Sequence, residues 1–404
     1  MTDAIDDRMS GRKHESDDAA PRDVPMTGMR LALFSETYPP QLNGVSRTLE
    51  RLVREVRARG GDVRVFTADD PDAARQDHVE RWASVPFWAY PQLRLAAPRV
   101  RAATEALRDW RPTLVHVATE FGVGLGGRGA ARRLGLPLVS SYHTNFLAYA
   151  QFYSLGVFEQ VGWRYFRWFH DPALRTFVPT EAMRTDLAQR GFDHLGVWGR
   201  GVEGERFDPR FRSEAWRAAH GIGPDDTCVL YVGRIAKEKG LGHALDAMRR
   251  LDLAPEAASL RFVFVGDGPY EAELRAQAPA GTVFTGRLEG EALSTAYASG
   301  DVFLFPSITD TFGNVLLEAM ASGLVVLAAD AGNTRELVGE GRGLIVRPDD
   351  GASIAAELVR VVTDRAATQR MAATARRWAL ERTWPRIWDG LFAEYRALAG
   401  LAPA

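Results

Sequence analysis

The feature that most constrains the fold of this chain is an alternation of short apolar runs with helical segments that stops once and then restarts. The first series opens at residues 30–34, passes a loop containing Pro39, Pro40, Asn43 and Gly44, and enters a helical segment over 45–58. Apolar runs bounded by turn residues return at 63–67, 114–117, 138–141 and 176–179, with helical segments such as 129–134 and 180–190 between them. Strands alternating with helices require right-handed crossovers and a parallel sheet. The series restarts at 228–233 and continues at 261–266, 282–285, 302–305, 325–328 and 344–346. Between the two, residues 202–226 show little strand pattern and contain Phe207-Asp208-Pro209 and Gly221-Ile222-Gly223-Pro224, the marks of a linker. The expectation is an α/β protein of two doubly wound parallel-sheet domains facing a central cleft. Ligands of open α/β sheets bind at the carboxyl ends of the strands, so the chemistry is expected in that cleft.

A chain of 404 residues accommodates two separate cores. The expected division is an extension over 1–28, a first domain over 29–202, a linker over 203–226, a second domain over 227–384 and a final amphipathic segment over 385–404. The extension is polar, rich in Asp and Arg, without a secretory hydrophobic core, and expected to be disordered. A net charge of -2 gives no general case for nucleic acid. The single cysteine, Cys228, opens an apolar run and reads as a core residue, which excludes a disulfide framework and a Cys-rich zinc site. No stretch reaches the apolar length needed to cross a bilayer, and cytoplasmic residence is expected.

Within this frame the most informative stretch runs from Ser307 to Gly323. It opens a helix in which Val315, Leu316, Leu317, Ala319, Met320 and Ala321 are apolar nearly all round. Such a helix is buried, so Glu318 inside it needs a hydrogen-bond partner. Asp310 lies in the loop feeding the same helix. The two carboxylates and the N–H groups near Phe312, Gly313 and Asn314 suit a ligand with sugar hydroxyls at one end and an anion at the other. A capped core helix with an internal partner for Glu318 is the alternative.

Arg234 and Lys239 follow the first strand of the second series and precede a helix. Pointing inward, they repel each other until an anion separates them, and an Arg fork with a Lys point charge suits a diphosphate. A solvated turn is the alternative. Gly44 at a helix start lets a phosphate approach backbone N–H groups, although Asn43-Gly44 also reads as a plain turn. The loop is not the GxGxxG fingerprint of dinucleotide binding. His143 stands at the carboxyl end of the 138–141 run, where a ligand contact and a structural role are both open. Residues 157–170 interleave aromatics with arginines, and suit an anionic membrane surface, an acceptor cleft or a core helix with exposed arginines. Arg128, Arg132 and Arg133 on the preceding helix favour the lipid interface. Asp70 and Asp72 form the only candidate metal pair, and their polar surroundings read as a loop.

Asp310 and Glu318 flank seven residues, and this spacing resembles the paired-acid motif of retaining family-4 glycosyltransferases of the GT-B fold. Asp310 stands where that family most often has Glu. The resemblance extends from about Met29 to the last helix and is closest to GDP-mannose-dependent α-mannosyltransferases and sulfoquinovosyltransferase-like enzymes. It implies two Rossmann-like domains, the first binding the acceptor and the second the sugar nucleotide, with the last helix crossing back to the first. It further implies that Arg234 and Lys239 hold the donor diphosphate and that Gly44 lies in a loop closing over the phosphates. His143 and Asp310 would touch the donor sugar and Glu318 the ribose hydroxyls, with Phe312, Gly313 and Asn314 lining the donor site. Arg200-Gly201-Val202-Glu203 with Phe207 and Pro209 resembles the family's hinge segment, Glu203 replacing the usual Asp.

The implied reaction is transfer of a hexosyl group, mannose favoured, from a nucleoside-diphosphate sugar with retention of configuration, without a metal or other cofactor. GDP-mannose is the favoured donor and a lipid or glycan the acceptor, with peripheral contact to the inner face of the cytoplasmic membrane through residues 157–170. The alternatives are a UDP-sugar-dependent diacylglycerol glycosyltransferase, a non-hydrolysing sugar-nucleotide epimerase and a non-catalytic sugar-nucleotide binding module. A nicotinamide oxidoreductase is disfavoured by the missing fingerprint.

Overall fold

A computed structural model describes residues 23–41, 43–87, 90–143 and 159–402. The first unit contains β1 (Arg30–Ser35), β2 (Asp62–Ala68), β3 (Val79–Trp82), a hairpin of β4 (Ser84–Phe87) and β5 (Tyr90–Ala96), then β6 (Leu114–Val117), β7 (Leu138–Ser141), β8 (Arg175–Val178) and β9 (Leu195–Val197). Seven of these form one parallel sheet in the order β3-β2-β1-β6-β7-β8-β9. The second unit contains β10 (Thr227–Val232), β11 (Leu260–Val265), β12 (Val283–Gly286), β13 (Val302–Phe305), β14 (Val325–Ala329) and β15 (Gly343–Val346). They form a parallel sheet in the order β12-β11-β10-β13-β14-β15. The strand order reverses between β1 and β6 in one sheet and between β10 and β13 in the other. Loops diverge at such switch points and open a crevice at the strand ends.

The central strands β1, β6, β10, β13 and β14 read as nearly unbroken apolar runs because helices cover both faces of each sheet. Along β1, Leu31 and Leu33 pack with Leu49, Leu52 and Val56 of the Gly44–Ala58 helix, while Ala32 and Phe34 pack with Ala130 and Ala131 on the other face. That second helix runs from Gly122 to Leu134, longer than the 129–134 expected from its sequence. Its glycines lower helix propensity, but the packing demands them. A Cβ at Gly127 would meet the Phe34 ring at 2.4 Å, and one at Gly124 would meet the Thr119 carbonyl at 1.8 Å.

Residues 1–22 of the expected extension lie outside the described residues. Residues 23–28 depart from the expected disorder. Met26 is fully buried in the first core, and its N–H donates to the Arg59 carbonyl at 2.8 Å. The stretch expected as a linker is also packed, with Phe207 and Ile222 joining the second core beside Leu230 and Phe303. The Trp384–Leu398 helix lies on the first unit, burying Trp388, Leu391, Phe392 and Tyr395 against β1 and β6. The two passages of chain between the units run side by side, with Val202 bridging Thr383 and donating to the Arg382 carbonyl at 2.8 Å. Gly201 is required there, since a Cβ would meet the Trp384 nitrogen at 2.5 Å.

Candidate active site

The loops at the carboxyl ends of β10 and β13 bring the charged residues together. After β10 the chain passes Gly233, Arg234 and a short turn to Lys239, then Gly240 with a φ of +70°. A Cβ at Gly240 would lie 2.3 Å from the Pro306 carbonyl, so only glycine lets this loop press against the end of β13. The close approach puts Lys239 Nζ 2.7 Å from Asp310 Oδ1. Arg234 pairs with Glu238 four residues on. The two cations therefore do not face each other across an empty anion site; each is held by a carboxylate. Glu238 is the partner that sequence reasoning missed, although its spacing from Arg234 was the available signal.

Burial acts to raise the Asp310 carboxyl, but Lys239, with Ser307 and Arg234 close by, outweighs it and holds the group below its ordinary range. Asp310 is thus an anion at neutral pH. Its Oδ2 is buried without a hydrogen-bond partner among the described residues, as is Asn314 Oδ1. Phe312 is buried, and its carbonyl accepts from Asn333 Nδ2 at 3.2 Å. Gly313 follows at a φ of +85° and starts the Asn314–Ala321 helix with no side-chain cap on its first N–H groups. Glu318 is one turn into that helix. Tyr297 Oη donates to its Oε2 at 2.8 Å, the internal partner that the apolar helix required. Burial raises the Glu318 carboxyl, against the opposing pull of that hydroxyl and of Arg206, Arg47 and Arg51.

The first unit supplies the facing wall. Gly44 begins its helix behind Asn43, whose Oδ1 accepts from the Ser46 N–H at 2.9 Å. Among the described residues, a Cβ on Gly44 would meet nothing within 4 Å, so these leave space above this helix start. From the same helix Arg51 reaches across to Glu203 at 2.6 Å. His143 follows β7 and is buried, with Nε2 2.8 Å from Ser141 Oγ and Nδ1 3.1 Å from Arg200 Nη2. Both ring nitrogens are committed to the protein, and it is the His143 carbonyl that meets the second unit, accepting from Thr311 Oγ1 at 2.7 Å. Neither contact was singled out from sequence: the Thr311 bond depends on the two units meeting, and the Arg200 bond joins residues 57 positions apart within the first unit.

Residues 157 and 158 of the aromatic segment lie outside the described residues, and the remainder is the Glu159–His170 helix. Phe166 and Phe169 point into the core, whereas Val161 and Trp168 are exposed at 65% and 48%. Arg128 lies over the Trp168 ring at 3.9 Å and donates to the Phe169 carbonyl at 3.0 Å. Arg128 and Trp168, with Leu125, Arg132 and Arg133, line an open hollow of about 560 Å³. Among the described residues no helix is long and apolar enough to cross a membrane.

The chain is similar to known proteins over both units. Residues 42–206 match the model described as glycosyltransferase family 4, and residues 212–378 the model described as glycosyl transferases group 1. A GDP-mannose-dependent alpha-mannosyltransferase of Mycolicibacterium smegmatis is 35% identical over 92% of this chain and 98% of its own length. The sulfoquinovosyl transferase SQD2 of Arabidopsis thaliana is 33% identical over 88% of this chain and 71% of its own. Among solved structures, the sucrose-phosphate synthase of Thermosynechococcus elongatus superposes with a TM-score of 0.74 at 21% identity, covering 92% of this chain and 99% of that one. That likeness places the two facing sheets in the GT-B fold. Identity of this depth, spread over nearly the whole length of both proteins, means that the chain belongs to the group 1, family 4 glycosyltransferases.

Proposed function

We propose that this glycosyltransferase moves a hexosyl group, mannose in the favoured case, from a nucleoside-diphosphate sugar to a lipid or glycan acceptor, with retention of configuration and without a metal. The observation that carries the donor half is the pair of buried acceptor atoms, Asp310 Oδ2 and Asn314 Oδ1, left without partners beside the Lys239 ammonium. Buried acceptors of this kind need donors, and sugar hydroxyls supply them. A diphosphate entering between Arg234 and Lys239 takes the place of carboxylate at the two cations. As the glycosidic bond breaks, negative charge grows on the leaving phosphate, and the cations stabilise that state more than the ground state. The acceptor proton passes to a leaving-group oxygen on the same face. His143 is a poor base, since burial, Arg200 and His116 hold its pKa well below the ordinary value and its lone pair on Nδ1 already accepts from Arg200.

The relatives' GDP-mannose supports guanine and mannose for the donor. The exposed Trp168 and Val161, with the arginines beside them, support a lipid acceptor reached at an anionic membrane surface. The test is a thermal-shift series with GDP-mannose, UDP-glucose, GDP and UDP, followed by transfer assays with and without a chelator. A ligand at about a hundred times its dissociation constant stabilises by about 2.7 kcal/mol. A shift with UDP-glucose alone reassigns the donor, no shift with any of the four sinks the donor site, and activity lost to chelator but regained with magnesium or manganese overturns metal independence.

A further inference from the structure

The hydrogen bonds of the His143 ring have directions that chemistry dictates. A guanidinium donates and never accepts, so the contact of Arg200 Nη2 with Nδ1 at 3.1 Å requires a lone pair on Nδ1. The proton of the neutral ring is therefore on Nε2 and is donated to Ser141 Oγ at 2.8 Å. The row continues from Ser141 to His116 Nε2 at 2.8 Å, and from His116 Nδ1 to Tyr395 Oη of the final helix at 2.8 Å. Arg200 is itself anchored on the Trp198 and Gly199 carbonyls at 2.6 and 3.0 Å, next to the paired crossing strands of the hinge. Its guanidinium lies 6.0 Å from the Phe312 ring in the second unit. It is buried, and among the described residues it forms no ion pair with a carboxylate. Among the described residues, the titratable or charged groups around the His143 ring are Arg200 and His116, with Tyr395 behind His116 and Asp310 across the cleft beside Thr311.

We infer that Arg200 is a positioning residue for sugar transfer: it locks His143 as the neutral Nε2–H tautomer and thereby seats the His143 carbonyl against Thr311, which aligns the Asp310 loop with the first unit. A protonated or rotated ring breaks the bond to Arg200 and moves the main chain that Thr311 grips. The inference rests on the donor-cleft reading of Asp310, and its test is arranged so that the two fail separately.

The experiment compares the full-length parent with Arg200→Lys, Arg200→Gln and Arg200→Met, using labelled-histidine NMR with His143→Gln for assignment, GDP binding, and GDP release from GDP-mannose. In the parent, the His143 ring stays the Nε2–H tautomer from pH 5.5 to 8, outside the titration of an ordinary histidine near about 6.5. Arg200→Met lets the ring titrate at higher pH and lowers kcat about tenfold to a hundredfold, with the KM for GDP-mannose changed less than about threefold. Arg200→Lys, which still donates a charged hydrogen bond, regains most of the rate and the neutral ring; Arg200→Gln falls between. A parent ring that titrates in that range, or carries its proton on Nδ1, overturns the inference. So does an Arg200→Met protein whose GDP affinity drops with kcat, which would place Arg200 in the donor phosphate site, or one that loses only melting temperature. Failure of the parent to bind GDP or GDP-mannose removes the donor reading, while the histidine spectra still decide the tautomer.

Discussion

The two walls of the cleft solve different problems. The second unit presents charge: Arg234 with Glu238, and Lys239 with Asp310, each cation resting on a carboxylate, which in the proposed mechanism a phosphate displaces. The first unit presents an open helix start at Gly44 and, behind it, hydrogen bonds through a neutral histidine. Exchangeable ion pairs suit a wall whose ligand gains charge during the reaction. Fixed hydrogen bonds suit a wall that must hold a geometry while the other changes. In the proposed mechanism the difference assigns binding charge and alignment to separate halves of the chain, which meet at Thr311 and the His143 carbonyl.

The sharpest way to break this comparison is to remove the cations. Lys239→Ala or Arg234→Ala is expected to lower kcat with GDP-mannose by about a hundredfold or more, with a smaller loss of ground-state donor affinity. The double substitution should deviate from the sum of the singles, because both act on one anion. Parent-like turnover in folded single variants would mean that the charged wall is only a surface turn.

The acids divide the same wall more finely. Asp310→Asn is expected to lower turnover by about tenfold or more while nucleotide affinity stays level, since in the proposed mechanism its buried oxygen receives a sugar hydroxyl. Glu318→Ala should instead weaken GDP binding, by about tenfold for one charged hydrogen bond. Isothermal titration with GDP separates the two, and equal losses of affinity would erase the division.

The open wall is probed by filling it. Among the described residues, a Cβ at Gly44 meets nothing within 4 Å, so Gly44→Val should leave stability within about 0.5 kcal/mol of the parent and reduce donor affinity by several fold. Unchanged donor affinity would show that this helix start holds no phosphate.

The smallest effect concerns a carboxyl beneath the first wall. Glu36 is completely buried, accepts from Thr119 Oγ1 and the Val123 N–H, and burial raises it from 4.5 to about 7. Between those values the folded chain holds a proton that the unfolded chain has released, so this contribution to stability is full below 4.5 and is lost as pH rises through about 7. Glu36→Gln should flatten the fall in melting temperature over that window. An identical slope in both proteins would show that Glu36 does not titrate there.

The inner parallel strands were legible because they are buried on both faces and so read as short apolar runs between turns, whereas the edge strands β3 and β9, only partly buried, were missed. The Glu318 partner was legible in kind, since an acid on an apolar helix has to meet a donor, but Tyr297 was not, lying on a helix with no local link to it. The β4–β5 hairpin escaped because Pro86 and Pro91 interrupt its pattern. The Gly122–Leu134 helix was cut short because tertiary packing, not propensity, places its glycines. Arg234 and Lys239 were visible as cations following a strand. That Lys239 would pair with Asp310 depends on a close approach of Gly240 to Pro306 that local pattern does not encode, whereas the Arg234–Glu238 pair lay within reach of simple helical spacing.

The final helix has a consequence for how the molecule is made. Phe392 and Tyr395 are fully buried among residues of the first unit, all encoded in the first half of the chain. A nascent polypeptide with every strand of its first sheet outside the ribosome still exposes the apolar groove that this helix fills. The groove closes only after residue 398 emerges, once the whole second unit has been synthesised. Biosynthesis therefore inverts the usual domain-by-domain order: the half that is translated first is the last to be completed.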